Sequence, residues 1–130
     1  MHYSPNGTLD DILKRNKFLD EKTAFKYFIQ LASAVNFMHE NNYIHRDIKP
    51  DNCLIDENNV IRLCDFGWCC ELSLGNRITF CGTYEYMAPE VMNEMPYNHL
   101  VDIWSLGVLL YEMLQGVSPY KVHNLLKGGE

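Results

Sequence analysis

Residues 45–52 read HRDIKPDN. Eight consecutive positions hold two aspartates, a histidine, an arginine, a lysine and an asparagine, and Pro50 keeps a helix from running through them. Charges at fixed offsets on a constrained loop have the character of an active site more than of a solvated turn. Upstream, the chain reads as helix. Thr8 is placed to cap a short helix over residues 9–14, with Asp10 and Asp11 in its first turn, where the helix dipole favours acids. Asp20 is placed to cap a second helix. In it Phe25, Phe28, Ala32, Val35 and Met38 or His39 recur every three or four residues, and Asn41-Asn42 ends it.

Downstream the period changes. Cys53-Leu54-Ile55 and Val60-Ile61-Arg62-Leu63 are short β-type runs around Asp56-Glu57-Asn58-Asn59, which predicts a hairpin. Residues 65–90 show no sustained period, and a loop that long in a compact domain is usually functional. Residues 91–95 predict a helical turn stopped by Pro96. Residues 99–115, HLVDIWSLGVLLYEMLQ, are the most apolar stretch and predict a helix buried on most sides, with Trp104, Leu106, Val108 and Leu109 in the core. That stretch holds Asp102 and Glu112 and is too short to span a bilayer. The terminal KVHNLLKGGE predicts the start of another short element. Together these give an α+β chain, mostly α.

With 130 residues there is enough chain for one domain and one real core. A net charge of −6 argues against a nucleic-acid face and fits a basic partner or substrate. The N-terminus, MHYSPNGTLDD, has neither the basic start nor the apolar run of a secretion signal. Five cysteines, at 53, 64, 69, 70 and 81, are odd in number and include an adjacent pair, so free thiols in a reducing compartment are expected. They lack the paired spacing of a zinc site. His2, His39, His99 and His123 are not spaced as ligands and read as surface or packing residues.

Beyond the loop, Asp65-Phe66-Gly67, Gly82-Thr83, Ala88-Pro89-Glu90 and Asp102-x-Trp104-Ser105-x-Gly107 follow in order. In that order, after HRDIKPDN, they resemble the signature set of protein kinases. The resemblance covers nearly the whole chain but only part of the family's domain. It implies a partial large lobe with a short β-hairpin and no small lobe. Residues 1–7 would be the hinge-like segment, and 8–64 the helices, catalytic loop and hairpin. Residues 65–90 would be the activation segment, and 91–130 the region of the central helix. Trp68 after DFG, the run Arg77-Ile78-Thr79-Phe80-Cys81-Gly82-Thr83, and Tyr3-Ser4-Pro5-x-Gly7-Thr8 are similar to Aurora kinases. His2 stands where that family carries a hinge acid, and APE where its members often have PPE; the polo and cyclic-nucleotide-dependent groups are the alternatives.

The resemblance implies a Ser/Thr protein kinase that uses ATP and Mg²⁺. Asp47 would orient the substrate hydroxyl and take its proton, and Lys49 would neutralise the transferring phosphate. Asn52 and Asp65 would supply hard oxygens to Mg²⁺. Thr83 would bridge Asp47 and Lys49. The backbone of Tyr3 and Ser4 would bond the adenine edge, with Met1 at the gatekeeper position. Leu54 would form the floor beneath the base and Asp51 would lie near the ribose. Arg46 would receive a phosphate on Thr79, ordering the activation segment. His45 would be structural, Asp102 would hold the backbone of His45 and Arg46, and Glu90 would pair with an arginine that this sequence lacks. Protein substrates with basic residues near the target, an activating protein partner, and an intracellular place in cytoplasm or nucleus, at the spindle or centrosome, are implied in the same way.

A second reading belongs to another class. The sequence carries no Gly-rich loop, no strand lysine for the α/β-phosphates and no partner glutamate for it. It therefore also fits a catalytically incompetent kinase fragment or pseudokinase acting as a protein-binding module. Retention of Asp47, Lys49, Asn52 and Asp65 argues for descent from an active kinase, because a lineage released from catalysis is free to lose them.

Overall fold

The structure, a computed structural model, describes residues 7–64, 70–71 and 84–119, with Cys70, Glu71 and Tyr84 described by their backbone alone. Helix α1 spans Leu9–Asn16 and α2 spans Glu21–Glu40. Strand β1 is Tyr43–Ile44, β2 is Cys53–Ile55, β3 is Ile61–Leu63 and β4 is Cys70–Glu71. Helix α3 is Pro89–Met92 and α4 is Leu100–Gln115. The architecture is mostly helical with two small antiparallel sheets; the α+β, mostly α class is as the sequence predicts, and one of the two sheets is the predicted hairpin.

Local chemistry explains the boundaries. Thr8 accepts from the Asp11 amide while the Asp11 carboxylate accepts from the Thr8 amide, both at 3.1 Å, a reciprocal capping box. Replacing Thr8 by alanine is expected to cost ~1 kcal/mol, read as a lower urea midpoint at unchanged slope. Asp20 caps α2 through the Thr23 amide at 3.3 Å. Asn42, at φ +65°, turns the chain out of α2. Gly116 ends α4 at φ +87°. A Cβ there would sit 2.5 Å from the Lys17 carbonyl oxygen, so only glycine fits.

The predicted hairpin forms, with Cys53 opposite Leu63 and Ile55 opposite Ile61. Asp56 shapes its turn by accepting from the amides of Asn58 and Val60 at 2.9 and 3.0 Å. These bonds, the one from Val60 foremost, hold its carboxyl below the usual aspartate value. The other sheet, β1 with β4, joins residues far apart in sequence, and two-residue runs carry no period by which to foresee it.

Two clusters of buried side chains result. One joins α1, α2, the hairpin and α4 through Leu9, Leu31, Ile55, Leu109 and Met113. The other gathers Ile44, Met87, Ala88, Val91, Tyr97 and Val101. Loop 45–52 runs between them, with Ile48 in the first cluster and Ile44 just before the loop in the second.

Three expectations are corrected. The buried stripe of α2 is Ala24, Tyr27, Leu31 and Val35, and Phe25 is 62% exposed. Phe25 lies one residue from Ala24, about 100° around the helix, and so misses the core. The turn expected at 91–95 lies at Pro89–Met92, because Pro89 is suited to a first helical position. Helix α4 is buried on one side only. Leu106, Val108 and Leu109 are core, but Leu100, Ile103, Trp104 and Tyr111 are at least 38% exposed and line an apolar groove with Pro89 and Pro119. A helix apolar all round hides from sequence which of its faces is covered. Among the described residues, no helix is long and apolar enough to cross a membrane.

The covered side of α4 also buries acid. The Glu112 carboxylate accepts from the Tyr86 hydroxyl, and Ser105 Oγ donates to the Tyr86 carbonyl at 2.6 Å. Burial raises the Glu112 carboxyl above the ordinary 4.5, with the Tyr86 bond opposing the rise. The folded state therefore keeps this proton to higher pH than the unfolded chain does. The stability it contributes is complete below pH ~4.5 and is lost as pH rises through the folded value. Relative to a Glu112→Gln variant, wild-type unfolding free energy should decline as pH rises from ~4 towards neutrality. A difference that is flat or grows over that range would contradict the assignment.

Candidate active site

The loop is fastened by its own backbone. Three successive amides donate to side chains. His45 N–H donates to Asp102 Oδ2 at 2.8 Å, Arg46 N–H to Asp102 Oδ1 at 2.9 Å, and Asp47 N–H to His45 Nδ1 at 3.1 Å. Because Nδ1 accepts, the His45 ring carries its proton on Nε2 and donates it to the Cys64 carbonyl at 3.0 Å. His45 and Asp102 are fully buried. Arg46 between them sits at φ +72°, a region that costs a non-glycine residue energy and persists only where its surroundings hold it. The clamped amides provide that hold.

Asp47 lies 7% exposed in this frame. Asn52 Nδ2 donates to both the Asp47 carbonyl, at 2.7 Å, and Asp47 Oδ2, at 3.1 Å. Both partners are acceptors, which settles which end of the amide points inward. Pro50 opens a single 3-10 turn, Pro50–Asn52, and the Asn52 amide closes it onto the Lys49 carbonyl at 3.0 Å. The turn brings Asn52 back to Asp47. Lys49 is half-buried in extended backbone and forms no ion pair among the described residues. Cys53, fully buried, bonds the Lys49 carbonyl through Sγ at 3.3 Å, and burial pushes its thiol far up. It is a packing group and not a nucleophile.

Arg46, Asp47, Lys49 and Asn52 are thus brought together by one loop. Asp51 lies exposed beside them. Leu54, half-buried in β2, bridges Thr8 by backbone, and Ile55 N–H donates to the Gly7 carbonyl at 2.9 Å. Gly7, the last residue of the segment expected to act as a hinge, therefore lies alongside β2. Met1, Tyr3, Ser4, Asp65, Thr79 and Thr83 lie outside the described residues. The Arg46 guanidinium donates to the hydroxyl of buried Tyr97 at 2.8 Å, a partner 51 residues away that no spacing in the sequence signals.

His39 is the other residue missed. Read from sequence as a surface or packing histidine, it places Nε2 2.9 Å from Asp102 Oδ2. A polar residue at the end of an amphipathic helix looks the same in sequence whether or not an acid waits for it.

A hard cation has a donor here. Asn52 is 5% exposed, and its Oδ1 has no hydrogen-bond partner among the described residues. A buried orphan oxygen on this loop suits Mg²⁺, which favours oxygen ligands. Among the described residues no three His, Cys, Asp or Glu side chains cluster as a metal site.

The protein kinase domain family matches residues 1–127. The chain is 45% identical over 122 residues to an Aurora kinase of Eremothecium gossypii and 43% identical over 122 residues to an Aurora kinase of Saccharomyces cerevisiae. It is 40% identical over 121 residues to Aurora kinase C of Mus musculus. Each match covers 93% of this chain, but 33%, 33% and 44% of those relatives respectively. The chain thus spans about a third of the length of most of the curated relatives it matches.

Proposed function

The chain belongs to the protein kinase family, and on that premise we propose that it carries the catalytic loop and substrate-facing part of an Aurora-like Ser/Thr kinase. The reaction would move the γ-phosphoryl group of ATP to Ser or Thr of proteins with basic residues nearby. The observation that carries this reading is the locked Asp47–Asn52 pair, held on amides clamped by Asp102.

Asp47 would accept a hydrogen bond from the substrate hydroxyl and receive its proton. Its carboxylate is held by Asn52, so orientation needs no further ordering when substrate arrives. Lys49 would set its charge against the phosphate in transfer. Asn52 Oδ1 and Asp65 would hold Mg²⁺, which when bound with ATP neutralises charge on the phosphates. Tyr3 and Ser4, with Leu54 and Asp51, would receive the nucleotide. Thr83 would link Asp47 and Lys49, and Arg46 would take phosphorylated Thr79. Basic substrates, an activating partner and an intracellular site of action complete the proposal.

A chimera tests it. Residues 1–127 would replace the matching segment of the Saccharomyces cerevisiae Aurora kinase, and phosphate transfer to a basic Ser peptide would be measured. Transfer is expected; a folded chimera that binds ATP–Mg²⁺ but transfers nothing would overturn the reading. A second reading, a non-catalytic kinase-derived module that binds proteins, is favoured by the exposed apolar side of α4. Its mark would be a folded 130-residue chain that binds no ATP–Mg²⁺ yet holds a protein partner through that side.

A further inference from the structure

Helix α2 is apolar on two sides. One side carries Ala24, Tyr27, Leu31 and Val35 into the core. On the other, Phe25, Ile29 and Phe37 are 62, 47 and 67% exposed. At about 100° per residue these three fall within an arc of about 120°. The same arc holds Lys22, Lys26, Ser33, Asn36 and Glu40, all of them exposed. Lys22, Lys26 and Glu40 form no ion pair among the described residues. Glu40 is held on this face by Asn36, whose Nδ2 donates to Oε1 at 3.1 Å. The order of these residues along the helix complements its own reverse. With a second α2 turned end for end about a point level with Leu31, Lys22 comes level with Glu40 of the second copy, and Phe25 with its Phe37. Lys26 comes level with its Asn36, and Ile29 with its Ser33. Lys22 and Glu40 are about five helical turns apart and so point the same way, along the middle of the arc.

We propose that this face is a self-complementary interface through which two copies of the chain pair, α2 against α2, antiparallel about a two-fold axis. The axis makes every contact twice, so each dimer holds two Lys22–Glu40 bridges. Phe25 and Phe37 lie at opposite edges of the arc. Each end of the contact is therefore closed on one edge by Phe25 and on the other by Phe37 of the second copy. Near the axis, the small Ser33 leaves room for Ile29 of the other chain. A parallel pair would set Lys22 on Lys22 and Glu40 on Glu40, like charge on like, so charge selects the antiparallel arrangement. A helix of this length supplies roughly half of the ~800 Å² per partner of a standard interface, so a Kd on the order of 10–100 µM is expected. The pairing does not depend on the kinase reading.

Sedimentation equilibrium on the 130-residue chain, up to about 1 mM, measures the association directly. Lys22→Glu sets like charges opposite each other at both bridges, and Kd is expected to rise about tenfold or more. Glu40→Lys is expected to do the same. Both changes in one chain reverse both bridges, and Kd is expected to return to within about threefold of wild type. The two residues stand about 27 Å apart along one helix, so no contact inside a single chain can produce that rescue. Phe25→Ser is expected to leave a folded monomer, judged by circular dichroism, while Ile103→Ser on the open side of α4 leaves Kd unchanged. If Phe25→Ser does not fold, the charge variants, all at exposed positions, decide the matter. A wild-type chain that stays monomeric to about 1 mM overturns the proposal, as does a double variant that associates no more tightly than the single ones. Dissociation by Ile103→Ser but not by Phe25→Ser would move the interface to α4 and overturn it too.

Discussion

Replacing Asp102 by alanine is expected to lower the unfolding free energy of the chain by ~3–5 kcal/mol. The side chain is fully buried and accepts three hydrogen bonds, from the amides of His45 and Arg46 and from His39. Truncation leaves those donors without an acceptor in a place water does not reach, and adds a small cavity. Domains of this size are typically stable by ~5–15 kcal/mol, so the loss is a large share of the total. Urea unfolding gives the number directly. Asp102→Asn keeps one acceptor oxygen but turns an N–H₂ towards a donor, so it should fall between wild type and alanine. A cost below ~1 kcal/mol for the alanine variant would mean that the loop is held by its packing and not by Asp102.

The second large effect is on chemistry. In the chimera described above, Asp47→Ala is expected to lower kcat by ~10²–10⁴ while the KM for ATP changes little. Asp47 faces the substrate hydroxyl in the proposed mechanism, and the nucleotide is held elsewhere. Asp47→Asn separates its two duties, since an amide oxygen still accepts a hydrogen bond but takes no proton at neutral pH. If orientation is the larger part, asparagine retains more activity than alanine. If both variants stay within about tenfold of the parent, Asp47 is not the group that meets the hydroxyl. Asn52 must be watched in both, because it loses a partner at 3.1 Å when the carboxylate is removed.

Much of the fold was legible in local sequence. The caps at Thr8 and Asp20, the exit at Asn41-Asn42, the hairpin around Asp56 and the extent of α4 all follow from chemistry within a few residues. Capping and turn formation are short-range, so the sequence states them outright. The candidate site was legible for the same reason: Arg46, Asp47, Lys49 and Asn52 share one loop, and the turn at Pro50 returns Asn52 to Asp47 within five positions.

What local pattern could not supply was which side of a helix is covered and which distant groups meet. Phe25 fits a helical stripe by spacing yet points outward, and Trp104 looks like core yet lies on an open face. Both depend on where α2 and α4 pack, which is a property of the assembled chain. The partners of Asp102 are 56 to 63 residues away, and the tie between Arg46 and Tyr97 spans 51. Sequence alone determined which charged and amide side chains residues 45–52 gather on one loop and the elements that flank them. Tertiary structure alone decided that a buried acid on α4, itself bonded by His39, would hold that loop in a strained shape. A hydrogen bond between distant segments leaves no period, spacing or composition in the sequence; it exists only once packing has brought its two ends within reach.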